Sequence, residues 1–368
     1  MAPKILMITS YDFSGRFMQD MARGFSERDN ILGFISLTGA STPEWADRFP
    51  IADYSRFFAN RKSFFWRVVN TIRVIRLFSP DVVQTHLFMG GIIGLISGKL
   101  MRKPVILTRH HIDEHYQVGS RIHRAIDRFC AKNVDHVIVC SQAAKKWLVE
   151  VEGVSARKIT VMNQGFDFDE LTPTETERVK AREALGFSDA TFNIICVARY
   201  SRTKGQEYLV EAAKLIIDRI PNLSIVFVGP GDSVWLESMI ADLGLAKVIR
   251  VMQSRSDIPA CIAAADLVVH PSLVDSFSQL IIEAQAIGGP IIASDIAAAR
   301  EQIVDRETGV IVPPKNVQSL ADEIEGMYNN PQLRLNMAAA ARVHVRQSFT
   351  LDRMINEEIE CVERVLKA

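Results

Sequence analysis

The chain has 368 residues, too many for one ordinary domain and enough for two of roughly 150 to 200 residues each. Hydrophobic residues make up 48% and charged ones 23%, a globular balance that excludes a disordered chain. Lys+Arg equals Asp+Glu at 43 each, so no global charge draws the chain to nucleic acid, and contact with a membrane or polyanion must come from a local patch.

The first predicted element is a strand over Ile5–Thr9; the apolar run is broken at Ser10-Tyr11-Asp12, too early for a signal peptide. From Ser55 to Phe78 there is no acidic residue, while Arg56, Arg61, Lys62, Arg67, Arg73 and Arg76 alternate with Phe57, Phe58, Phe64, Phe65 and Trp66. Read as a helix, it puts Phe65, Val68, Val69 and Ile72 on one face with Lys62, Trp66 and Arg73 on its flank. That composition suits an anionic membrane surface, with an ordinary packed helix as the alternative. Strands are expected at Asp81–Thr85 and Pro104–Thr108. Between them the apolar stretch from Met89 is interrupted by Lys99, short of the ~18 residues of a spanning helix. A further strand is expected at His136–Cys140.

The alternation pauses between Gly165 and Phe187, where Asp167-Phe168-Asp169 is followed by Pro173 and a charged helix, Thr174–Leu185. Strands resume at Asn193–Val197, Ser224–Val228, Val248–Met252, Leu267–His270 and Pro290–Ala293, with helical patterns at Glu207–Ile220 and Phe277–Ile287. Several of these strands are continuously apolar, as expected of parallel strands covered on both faces. The tail is helical: Asn316 caps one helix, Pro331 opens another, and Leu351–Leu366 forms the last. The expected fold is α/β, two doubly wound Rossmann-like domains facing a central cleft. The expected divisions are 1–170, a linker at 171–190, a second domain at 191–347, and a last helix at 348–368 packing back on the first domain. Cys130, Cys140, Cys196, Cys261 and Cys361 are scattered with no CxxC pair, which argues against a zinc ribbon or disulfide framework and fits a reducing cytosol.

In open α/β sheets, ligands bind at the carboxyl ends of strands. Arg199 and Lys204 follow the strand Asn193–Val197 and precede a helix, where two cations and free N–H groups suit a diphosphate. Such charges are often merely solvated, but a second segment in the same half adds weight. Asp275, after Leu267–His270, and Glu283, in the next helix, are acids separated by seven residues. As acceptors they suit sugar and ribose hydroxyls, and free amides around Phe277 and Ser278 suit phosphate.

With these motifs in view, the chain resembles family 4 of the retaining GT-B glycosyltransferases, which carry Arg-x4-Lys and acid-x7-Glu in this order. Phe227-Val228-Gly229-Pro230-Gly231-Asp232 is similar to that family's glycine turn, Ser256-Asp257-Ile258 to its nucleobase loop, and Thr308–Pro313 to its following strand. Gln164-Gly165-Phe166-Asp167 is similar to its linker, with Gln164 replacing Asn. The resemblance implies a last helix that crosses back to the first domain. It also implies that Arg199 and Lys204 stabilise the diphosphate, Glu283 holds the ribose and Asp275 positions the donor sugar. Asp257, Ile258, Phe277, Ser278 and Gln279 then complete the donor site. On the acceptor side it points to Ser14 and Gly15, to His86, and to Thr108-Arg109-His110-His111, where His110 faces the sugar and His111 is its rival. The sequence departs from the family at Asp275 (Glu is usual), at Ser276 and Ser278 (glycines), at Gln279 (small or apolar), and at Ala297-Ala298 (Gly-Gly).

The resemblance implies a metal-independent hexosyltransferase that uses a nucleoside diphosphate sugar without a cofactor. The expected acceptor is a glycan or lipid-linked molecule of bacterial surface polysaccharide or glycolipid synthesis, and the expected location is the cytoplasm or the inner membrane face. Asp167-Phe168-Asp169, formally a metal-binding DxD, lies in the linker and reads as structural. Two alternatives stay open: a phosphorylase or epimerase on the same fold, and a non-catalytic nucleotide-sugar-binding subunit.

Overall fold

The computed structural model describes residues 2–10, 16–38, 48–49, 51–58, 63–110 and 121–367. Ser14, Gly15, Lys62 and His111 lie outside the described residues. The chain divides into two units, Met1–Phe166 with Phe349–Ala368, and Asp167–Ser348.

The first unit holds a parallel sheet of β1 (Lys4–Thr9), β2 (Ile31–Ser36), β3 (Ile51–Asp53), β4 (Val82–His86), β5 (Val105–Arg109), β6 (His136–Val139) and β7 (Ile159–Val161). Their order is β3-β2-β1-β4-β5-β6-β7. The connecting helices are α1 (Arg16–Ser26), α2 (Phe64–Phe78), α3 (Leu87–Leu100), α4 (Arg121–Asn133) and α5 (Gln142–Glu150). Both faces of the sheet are covered, which is why these strands read as unbroken apolar runs. On one face Ile5, Met7, Val82, Ile106 and Ile138 pack with Met18, Met21 and Phe25 of α1 and Met354, Ile355 and Val362 of the last helix, Leu351–Lys367. On the other, Leu6, Ile8 and Val83 pack with Val74, Ile75 and Phe78 of α2 and Ile93 of α3.

The last helix thus belongs to the first unit. It is tied there where Leu351 N–H donates to Phe166 O at 3.1 Å and Phe166 N–H to Phe349 O at 2.9 Å. Gly165 is needed at this junction, because a Cβ there would meet Thr350 O at 2.4 Å.

The helix of the basic segment begins at Phe64, and its buried face is Asn70, Thr71, Val74, Ile75 and Phe78, with Phe65 67% exposed. On the row through Phe65, Val68, Val69 and Ile72, Phe65 is exposed and the other three are half-buried. The apolar stretch from Met89 lies in α3, and among the described residues no helix is long and apolar enough to cross a membrane.

The second unit holds β8 (Phe192–Val197), β9 (Leu223–Val228), β10 (Ile249–Met252), β11 (Leu267–His270), β12 (Ile291–Ser294) and β13 (Val310–Val312). They are parallel, in the order β10-β9-β8-β11-β12-β13. Its helices are α6 (Phe168–Leu171), α7 (Glu175–Leu185), α8 (Gln206–Ile216), α9 (Val234–Asp242), α10 (Ile258–Ala264), α11 (Gln279–Ile287), α12 (Ala297–Gln302), α13 (Val317–Asn329) and α14 (Pro331–Ser348). In each sheet the chain winds outward one way from its first strand and then the other. The topological switch therefore lies between β1 and β4 in the first unit and between β8 and β11 in the second, the place where such sheets bind ligands.

Candidate functional site

At the second unit's switch point the loops after β8 and β11 are stitched together. Leu273 N–H donates to Thr203 O at 2.9 Å, and Ser272 Oγ donates to Thr203 O at 3.3 Å. Between β8 and α8 the chain makes a 3-10 turn, Arg202–Lys204, and then Gly205 at φ 63°. A Cβ at Gly205 would lie 2.1 Å from Pro271 O, so the close approach of the two loops requires glycine. Gln206, fully buried, donates through Nε2 to Arg199 O at 3.0 Å and fixes the backbone that carries exposed Arg199. The β9 loop closes against the same segment: Tyr200 N–H donates to Pro230 O at 2.8 Å, and a Cβ on Gly229 would sit 1.9 Å from Ala198 O.

This framework brings Lys204 Nζ to 2.9 Å from Asp275 Oδ2. His270, the buried last residue of β11, places Nε2 3.5 Å from the same oxygen and 3.3 Å from Ser278 Oγ. Burial works against the charge of Asp275, but the hydrogen bond with His270 and the Lys204 ammonium outweigh it and hold the carboxyl below its usual value. A cation–carboxylate pair at the mouth of a sheet can meet phosphate oxygens with one member and sugar hydroxyls with the other.

The remaining donor-side residues are placed unevenly. Gln279 opens α11 and Glu283 lies one turn further, half-buried. Phe277 is half-buried in the loop before them. Ser278 corrects an expectation: its amide is not free, because it donates to Gln302 Oε1 at 3.1 Å while Gln302 Nε2 returns a bond to Ser278 O at 3.0 Å. Gln302 is 24 residues away in α12, so only the fold brings it there. Asp257 stands before Ile258 at the start of α10, gripped by Arg255 at 2.8 and 2.7 Å. That hydrogen-bonded pairing lowers its pKa. Arg202 lies 4.0 Å over the Trp235 ring and braces the β8 loop against α9.

Reasoning from sequence missed His270, Arg255, Arg202 and Gln302. His270 carried a usable signal, since it ends a buried strand just as His86 does. Asp167 and Asp169 are engaged locally: Asp167 accepts the Asp169 N–H at 3.0 Å as the cap of α6, and Asp169 lies 3.5 Å from Arg346.

In the first unit, His86 ends β4 and His110 follows β5. Register pairs His86 with Thr9 and with Thr108, so these side chains share the α1 face with Gln84 and His110. His86 Nδ1 lies 3.0 Å from His110 Nε2, with the rings stacked at 5.3 Å and 19°. Phe17 of α1 sets its edge against both. Burial first, and the neighbouring His110 second, push the His86 pKa well below its ordinary value. Below this pair Gln84 Nε2 reaches Thr108 Oγ1 at 3.0 Å and Glu358 Oε1 of the last helix. Arg109, beside His110, forks onto buried Glu152 at 3.2 and 2.9 Å and anchors the end of β5.

Two doubly wound parallel units, the first completed by the chain's last helix, define a glycosyltransferase of the GT-B type. The chain belongs to the group 1 and family 4 glycosyltransferases: the model described as "Glycosyl transferases group 1" matches residues 177–344, and "Glycosyltransferase Family 4" matches residues 14–170. Among curated relatives it is 27% identical over 307 residues to a D-inositol 3-phosphate glycosyltransferase of Pseudarthrobacter chlorophenolicus, covering 76% of this chain and 71% of that protein. A protein of the same name from Corynebacterium aurimucosum is 27% identical over 289 residues, 73% of this chain and 68% of that protein. Among solved structures, Anabaena HepE in complex with UDP-glucose superposes with TM-score 0.83 at 22% identity over 100% of both chains. Sucrose-phosphate synthase of Thermosynechococcus elongatus superposes with TM-score 0.81 at 17% identity, covering 99% of each.

Proposed function

We propose that the chain transfers a hexose-type sugar from a nucleoside diphosphate sugar to a glycan or lipid-linked acceptor, with retention at the anomeric carbon and without a metal. The observation that carries this reading is the Lys204–Asp275 pair at 2.9 Å across the β8–β11 switch point. Lys204 and Arg199 meet the diphosphate and stabilise it as it leaves with increased charge, the role a metal plays elsewhere. Asp275 meets the donor sugar, Glu283 the ribose, and His110 the sugar from the acceptor side. Among structural neighbours, HepE is solved with UDP-glucose, which supports a nucleotide-sugar donor here.

Calorimetry against UDP, GDP and ADP and their sugars tests the reading, because a ligand bound by the native state alone also raises apparent stability. Binding to none of them overturns it. Binding with neither transfer nor donor hydrolysis identifies the non-catalytic subunit.

An anionic membrane surface is the proposed location of the acceptor. Helix α2 exposes Phe64, Phe65, Trp66, Arg73 and Arg76. Helix α4, on the same side of the sheet beyond α3, exposes Ile122 and Phe129 beside Arg121, Arg128 and Lys132. Aromatic and aliphatic side chains flanked by cations suit the headgroup boundary.

A further inference from the structure

We propose that His86 is a positioning residue for His110: it donates from Nδ1–H to His110 Nε2 and so holds His110 in the tautomer that carries its proton on Nδ1. The importance of that tautomer rests on the reading of His110 as the sugar-side residue, while the pairing itself is a property of the first unit alone.

The two nitrogens are 3.0 Å apart, so one ring donates to the other. His86 is 2% exposed, and its other nitrogen, Nε2, is buried with no hydrogen-bond partner among the described residues. If His110 were the donor, neutral His86 would carry its own proton on Nε2, leaving a buried N–H with nothing to accept it. If His86 is the donor, Nε2 is a bare lone pair. Orphaned buried donors are the rarer and costlier defect, so His86 donates. A doubly protonated His86 would place a cation in a buried apolar setting against a second imidazole, and burial excludes it.

The ring geometry leaves little freedom to escape this arrangement. The stack at 19° and the edge of Phe17 hold both rings in place. Directly after His86 the chain turns through Leu87 at φ 65°, a left-handed conformation that a leucine adopts only under constraint from its surroundings. The turn delivers His86 at the strand end and starts α3 one residue later.

The consequence is chemical. With Nε2 accepting from His86, neutral His110 carries its proton on Nδ1 and has no vacant lone pair. It takes up a proton on Nε2 only by breaking the pair. His110 held in this pair is therefore not a general base.

The test uses the full chain, free of ligand, with 15N-labelled histidine and long-range 1H–15N correlation at pH 8; variants assign the signals. Both His86 and His110 should show protonated Nδ1 and bare Nε2. Protonated Nε2 on His110 overturns the proposal. In His86→Leu the donor is gone, and His110 should shift toward the Nε2–H form; in His86→Asn the amide keeps a donor near the Nδ1 position, and the Nδ1–H form should return. A His110 spectrum unchanged by His86→Leu reduces His86 to packing and overturns the proposal. If His86→Leu does not fold, the parent spectrum and His86→Asn decide it alone. Because no nucleotide is present, failure here is separate from failure of the transferase reading, which nucleotide calorimetry tests.

Discussion

Glu358 in the first unit and Asp275 in the second are both carboxyl groups set against a parallel sheet, and burial acts on each of them. Glu358 is 1% exposed and is hydrogen-bonded by the neutral amide of Gln84; burial pushes it up to about 7, against that hydrogen bond. Asp275 suffers the same penalty, yet His270 and Lys204 reverse it. The two sheets share one winding order, so topology does not explain the difference. Their surroundings do: donors and a cation face Asp275, whereas a neutral amide faces Glu358.

Several variants break or sharpen this contrast. The largest effect is expected at the reacting sugar: Asp275→Asn and His110→Ala should each lower kcat on the order of 100-fold, the scale of removing one transition-state contact, while UDP affinity stays at the parent level. Transfer at the parent rate in both variants would refute the assignment. Next comes the first unit's acid. A carboxyl whose folded pKa is about 7 against an ordinary 4.5 contributes stability that is fully present below 4.5 and lost as pH rises through 7. Glu358→Gln removes that loss, so its advantage in melting free energy should grow between these values to on the order of 3 kcal/mol at pH 8. A pH-independent difference would show that Glu358 stays charged. Asp275, shifted the other way, should give the opposite sign: its contribution is present above 3.8 and fades only as acid passes its lower folded value.

Lys204→Ala should weaken UDP binding by roughly 1.5–3 kcal/mol, the range for hydrogen bonds to a charged group. Arg199→Ala and Glu283→Gln should act in the same direction; calorimetric affinities equal to the parent would remove the diphosphate from this loop. Smaller still, Arg73→Ser and Arg76→Ser should cost about 1 kcal/mol each in partition to anionic vesicles, with neutral vesicles bound weakly throughout. Equal partition before and after returns α2 to ordinary packing. At the bottom of the scale, a chelator should leave transfer unchanged, and an absolute need for Mg²⁺ would give the charge-neutralising role to a metal.

Much of the frame was readable in advance. Runs such as Asn193–Val197 and Ser224–Val228 are apolar at every face, and nine expected strands lie within one residue of β1, β4, β5, β6, β8, β9, β10, β11 and β12. The strands β2, β3 and β7 escaped notice: Gly33 interrupts the first, and the others span three residues each, too short for a period to register. The places of Arg199, Lys204 and Asp275 were legible because a loop that follows a buried strand lies at the sheet's edge.

Which side chains meet was not legible. Lys204 and Asp275 are 71 residues apart, and their 2.9 Å contact exists because β8 and β11 are neighbours across a switch point. The His86–His110 pair follows from the register of β4 on β5, and the lost amide of Ser278 from a glutamine in another helix. Local pattern decides where a chain is strand, helix or loop, since those choices depend on burial and backbone sterics along the segment itself. Hydrogen-bond partners, protonation and pKa depend on what other segments bring within about 4 Å, and only the assembled sheets determine that.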